Sequence, residues 1–143
     1  MTDLAYISAC DLLAGYKSGE ISPVDAVKAA LAQIDRYNPH LNAFVFVDGE
    51  AALAEAKKSE ARWRSGTPCG LLDGVPTTLK DLMLMKEHPT LKGSKLSDPS
   101  GPWTDDSPAV ARLREHGAIF IGKTTTPEFG WKGVTDSPLS GAT

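Results

Sequence analysis

Three short apolar runs, residues 41–47, 75–79 and 118–121, are separated by stretches that carry helix signals. This alternation constrains the fold more than any other feature of the chain. A strand, a helix and a second strand within about 40 residues read as a crossover unit, which implies a parallel pair. The pattern occurs twice, across residues 41–79 and again across 75–121. The expected class is therefore α/β, with a mixed, mostly parallel sheet flanked by helices.

The helices have recognisable ends. Ser8 is placed to cap a helix whose apolar face is Ala9, Leu12, Leu13 and Tyr16 and which ends near Gly19. Ser22-Pro23 opens a second, with Pro23 at the first helical position and Asp25 facing the positive end of the dipole. Its stripe is Val24, Val27, Leu31 and Ile34, and Asn38-Pro39 is expected to stop it. Residues 1–40 thus read as a helical hairpin that needs a larger body to cover its apolar face, and 41–143 as the start of the sheet. The alanine-rich segment 50–64 has only a thin apolar stripe, as an outer covering helix would. Ser107-Pro108 starts another helix, Val110 and Leu113 face inward, and Gly117 falls at the position just past its end.

Composition narrows the function. The chain has 143 residues, with 18 acidic against 15 basic side chains and a formal charge of −3. That length can bury a core without disulfides or metals, and the charge does not suggest a nucleic-acid surface. The longest apolar run, residues 43–47, is too short to cross a bilayer. No secretory leader is visible: Asp3 stands where a basic region belongs, and Ile7-Ser8-Ala9-Cys10 reads as part of a helix rather than a lipoprotein cleavage box. Cys10 and Cys69 form no metal or disulfide pattern, and His40, His88 and His116 lie in unrelated contexts. A cytoplasmic protein with free thiols and no metal centre is the expectation. Of the 23 glycines and prolines, 5 lie in residues 1–65 and 18 in residues 66–143, so turns concentrate in the second half. Residues 83–106 form a long irregular stretch of the sort that in compact enzymes is functional or disordered.

Two motifs invite a chemical reading. Gly117 to Thr124 satisfies the letters GxxxxGK[ST] of a phosphate-binding loop. In such a loop the strand precedes the first glycine and a helix starts at the lysine. Here the middle residues are themselves the strand, Gly117 closes a helix, and Pro127 soon follows Lys123, so nucleotide binding is rejected. The second motif is Gly74-Val75-Pro76-Thr77-Thr78-Leu79-Lys80-Asp81, which sets a lysine at the carboxyl end of an apolar strand, just before the long irregular stretch. Open α/β sheets place ligands at that end. A desolvated Lys80 could act there as a base or as an amine nucleophile. A lysine paired with Asp81, or simply hydrated, fits the same letters.

Those residues resemble the Gly-[Ile/Val]-Pro-x-x-x-Lys-Asp stretch of the amidase signature family. The resemblance extends through residues 106–113, Gly117-Ala118, Gly122-Lys123-Thr124 and Pro127-Glu128-Phe129, in that family's order and spacing. It also takes in the Ser22-Pro23 helix and Asn42-Ala43-Phe44, and so covers nearly the whole chain.

The resemblance implies cleavage of carboxamides by a Ser–cis-Ser–Lys triad, without a metal or organic cofactor, and it matches Lys80 to the triad lysine. A neutral lysine can take the nucleophile's proton through a bridging serine, provided burial keeps it uncharged. Both serines and the oxyanion donors would come from a Gly-Gly-Ser-Ser-Gly-Gly stretch, and this chain has no Ser-Ser pair. The resemblance therefore implies the amino-terminal portion of an amidase, inactive in isolation, acting on a small-molecule amide. An amidotransferase A-type subunit of the same family is one alternative; a non-catalytic interaction remnant of the fold is the other. A homodimer and a carboxyl-terminal remainder of the same enzyme stay open as partners; nucleic acid and membrane are not expected.

Overall fold

A computed structural model describes residues 3–143. After a single 3-10 turn at Leu4–Tyr6, helix α1 runs over Ala9–Ser18, α2 over Pro23–Leu41 and α3 over Gly49–Arg64. Strand β1 (Phe44–Val47) lies between α2 and α3, and β2 (Pro76–Lys80) follows α3. Helix α4 (Pro108–Glu115) leads into β3 (Ile119–Thr124), and a short hairpin, β4 (Asp136–Ser137) with β5 (Gly141–Ala142), lies near the carboxyl end.

The caps form as the sequence suggests. Ser8 accepts from the Asp11 amide, and Ser22 accepts from the amides of Val24 and Asp25. Gly19 and Gly117 take left-handed conformations just past α1 and α4. Pro39 does not stop α2, however. It sits in the last turn, where losing one donor is tolerated, and the helix ends at Asn42 in the left-handed region. The Asn38 side chain accepts from the amides of Ala43 and Phe44, so the polar group expected to break the helix instead guides the chain into β1.

The sheet has the order β1-β3-β2. Strands β2 and β3 are parallel, joined by the second crossover as expected. The first crossover gives no parallel pair. Strand β1 runs antiparallel to β3 on its far side and does not pair with β2. Alternating residues of β3 divide the core. Ile119 and Ile121 pack with Val27 of α2 and with Ala52 and Ala56 of α3. Ala118 and Phe120 face Val110 of α4 together with Leu79 and Met85. The thin stripe of α3 covers the Ile119 and Ile121 face of the sheet, and most of the rest of the helix is exposed, as expected of an outer covering helix. Ala52 and Ala56 are fully buried, and small side chains at these positions let the helix lie close on the sheet.

The turn that feeds β2 is held by Asp73. Its side chain is fully buried and receives two bonds from the Arg62 guanidinium, at 2.8 and 2.6 Å, and one from the Cys69 amide at 2.9 Å. Trp63 of α3 donates to the Asp73 carbonyl and Tyr16 of α1 to that of Gly74, tying both helices to the start of the strand. Burial alone would raise the Asp73 pKa, but the bonds from Arg62 and Cys69 hold it below the usual carboxylate value. A carboxyl depressed in the folded state contributes stability above its unfolded pKa of about 3.9 and loses it as pH falls through the folded value. Asp73→Asn should therefore lower the unfolding free energy by about 3 kcal/mol at pH 7. The gap to the parent protein should narrow below about pH 4. Urea titrations at several pH values measure both.

Candidate active site

At the carboxyl end of β2 three consecutive residues have opposite fates. Leu79 is 1% exposed, Lys80 is exposed, and Asp81 is 3% exposed. Alternation along a strand sends Lys80 to one face and its two neighbours to the other. No salt bridge involves Lys80 among the described residues. Of the readings open for Lys80, this segment shows neither a desolvated lysine nor one paired with Asp81 but an exposed one, and the exposure follows from its place on the strand.

The buried lysine is Lys123, on β3, at 1% exposure. Its ammonium contacts Asp81 Oδ1 at 2.7 Å, the Pro89 carbonyl at 2.7 Å and Thr90 Oγ1 at 2.6 Å. These three acceptors match its three donors. Thr90 in turn donates to the Met83 carbonyl, and the second oxygen of Asp81 accepts from the Lys92 amide. Burial pushes the Lys123 pKa down, while Asp81 pulls it back up.

A β-bulge brings these groups together. Thr77 opposes Phe120, yet Thr78 opposes Gly122, leaving Ile121 as an extra residue in β3. Strict alternation would put Lys123 on the helix-covered face with Ile119 and Ile121. The extra residue reverses the phase, so Lys123 shares a face with Leu79, its partner across the ladder, and meets Asp81 and the long irregular stretch. A second irregularity between Phe44 and Phe46 keeps β1 in register. Hydrophobic periodicity marks none of this. The one sequence signal was the Gly122-Lys123 pair, whose resemblance to a phosphate loop is now explained: Lys123 lies inside the strand, its ammonium fully engaged by protein oxygens.

The irregular stretch is anchored at its start. Glycine at position 93 has φ +68°, and a Cβ there would lie 2.6 Å from the Thr126 carbonyl oxygen. Lys92 and Phe129 also adopt positive φ, and the Phe129 amide donates to the Lys92 carbonyl. Ser94, 1% exposed, donates to Glu128 at 2.7 Å. Asn42 holds the carboxyl-terminal hairpin through bonds to the carbonyls of Ser140 and Ala142. Around this frame the surface is open and apolar: Phe129, Trp131 and Val134 are 57%, 90% and 64% exposed. A cleft of about 600 Å³ is bounded by Phe129, Trp131, Lys132 and Pro138, without Lys80 in its lining.

The comparisons with known proteins agree with this architecture. A family model described as Amidase matches residues 25–143. Indoleacetamide hydrolase of Bradyrhizobium diazoefficiens is 40% identical over 137 residues, which are 95% of this chain and 26% of that protein. The A-type subunit of the glutamyl-tRNA(Gln) amidotransferase of Salinispora tropica is 39% identical over 144 residues, 100% of this chain and 29% of its own. A bacterial aryl acylamidase of the amidase signature family superposes with a TM-score of 0.84 at 28% identity, over 96% of this chain and 29% of that one. The chain belongs to the amidase signature family. It spans well under a third of the length of the curated relatives it matches.

Gly93→Ala should loosen the anchored segment by about 1–3 kcal/mol, since an L side chain is strained at this φ and meets backbone. Amide hydrogen exchange should quicken at Lys92 and Phe129 while the β2–β3 ladder keeps its protection. Unchanged exchange at both amides would mean that the anchor does not depend on this glycine.

Proposed function

We propose that this chain is the lysine-bearing, amino-terminal segment of an amide-hydrolysing enzyme, with Lys80 as the base that activates a serine nucleophile. The observation that carries the reading is the placement of Lys80. It stands exposed at the carboxyl end of a parallel strand, where α/β sheets present ligand-binding groups, between two buried and fixed neighbours. On this reading Lys80 accepts a proton from a bridging serine, which accepts one from the nucleophilic serine. That oxygen attacks the amide carbonyl, the amine or ammonia leaves with a proton returned along the same relay, and water releases the carboxylic acid. The serines and the oxyanion donors belong to the part of the amidase domain that this segment does not span. The same part would enclose Lys80 and keep it neutral.

The exposed Phe129, Trp131 and Val134 support this division, because an apolar rim of that extent beside the strand end suits a surface covered by further protein. Hydrolysis of a small carboxamide is preferred over amidotransfer to tRNA, since a formal charge of −3 gives no electrostatic footprint for a nucleic-acid partner.

In the complete amidase domain carrying this segment, Lys80→Ala should lower kcat by at least about 10³-fold without unfolding the protein. The 143-residue chain alone should release no ammonia from a carboxamide. Steady-state assays of ammonia release decide the matter. Activity retained by folded Lys80→Ala protein would remove Lys80 from the mechanism.

A further inference from the structure

We propose that Asp81 and Lys123 act as a positioning pair for Lys80, coupling the reactive strand end to the irregular stretch that follows it; the inference rests on the role given to Lys80 above. Lys80 has no side-chain support of its own among the described residues, so its direction is set by its backbone. That backbone is held on both sides. Asp81 donates its amide to the Thr124 carbonyl, and the Lys80 carbonyl accepts from the Met83 amide at 2.9 Å. The Asp81 side chain is fixed in turn by Lys123 and by the Lys92 amide. Lys123 then reaches past Asp81 to Pro89 and Thr90, so a single ammonium ties β3, the end of β2 and the segment at 89–92 together.

The choice of groups points to positioning rather than stability. A buried ion pair is at best a weak source of folding energy, and an apolar pair of similar volume often does as well. What an apolar pair cannot do is define direction. Three donors with three fixed acceptors allow one placement of the strand ends, and the bulge at Ile121 turns Lys123 to meet them. A small displacement of a base from its proton donor is expensive in rate even where the fold is intact.

The test compares folded stability with kcat and KM in the complete amidase domain carrying this segment. Lys123→Met alone strands a buried carboxylate, and both stability and kcat should fall. The double variant Asp81→Asn/Lys123→Met removes both charges while keeping volume. It should melt within about 5 °C of the parent, yet kcat should stay about 100-fold down with KM changed less than about twofold. If kcat recovers along with stability, or the loss lies in KM, the pair is only structural and the inference is wrong. Should the double variant fail to fold, Thr90→Val decides instead. It removes one acceptor of Lys123 in a nearly isosteric way, and kcat should fall about tenfold at unchanged KM; a parental kcat overturns the proposal. Lys80→Ala measured alongside separates the two ideas. Full activity there defeats the proposed function itself, whereas an inactive Lys80→Ala protein with normal double-variant and Thr90→Val kinetics defeats only the positioning role.

Discussion

The buried contact between Lys123 and Asp81 is the constraint on which the rest of the strand-end architecture depends. Two ions at 1% and 3% exposure are out of water, and such a pair persists only where every donor and acceptor is used. Here the requirement is met by elements far apart in sequence: the end of β2, the middle of β3, and the backbone at 89–92. Because no partner can move without stranding a charge, the strand ends and the first part of the irregular stretch form one rigid piece.

That rigidity reaches further through backbone contacts. The Lys92 carbonyl accepts from Phe129, Gly93 packs without a side chain against Thr126, and Ser94 reaches Glu128. The segment after β3 is thereby fixed to the segment after β2. At the opposite end of β2, Asp73 does the same with Arg62, Trp63 and Cys69. A five-residue strand is thus clamped at both ends by a buried carboxylate, one paired with an arginine of α3 and the other with a lysine of β3.

Much of this was legible in the sequence where the signal is local. Caps at Ser8 and Ser22, the glycines past α1 and α4, and the parallel crossover through α4 follow from residue types at fixed spacings. The misreadings share one cause, which is that distant partners decide the outcome. Pro39 looked like a stop, yet Asn38 and Asn42 let the helix finish its turn and bind the chain beyond it. Strand β1 looked parallel because a helix separates it from β2, but β3 offers it an antiparallel edge. The thin stripe of α3, by contrast, reads correctly as a covering face, closely packed at Ala52 and Ala56. Lys80 lies at its strand end as the sequence suggests, and of the readings open there the hydrated one describes it in this segment. What local pattern does not reveal is Lys123, whose side of β3 depends on the unpaired Ile121.

The bulge also sets the environment of Lys123 apart from that of Lys80. A lysine with three fixed acceptors cannot shuttle a proton without breaking the network that holds it, so Lys123 is suited to holding rather than to proton transfer. Lys80 is its opposite: exposed, outside any ion pair among the described residues, and mounted on immobile backbone. Of two lysines on neighbouring strands, one is held in a buried network and the other stands exposed, and the extra residue in β3 is what turns Lys123 into that network. The burial of Lys123 in that network is a matter of strand phase, since deleting Ile121 from the ladder would turn Lys123 toward Ala52 and Ala56 of α3 and leave Asp81 buried without its partner.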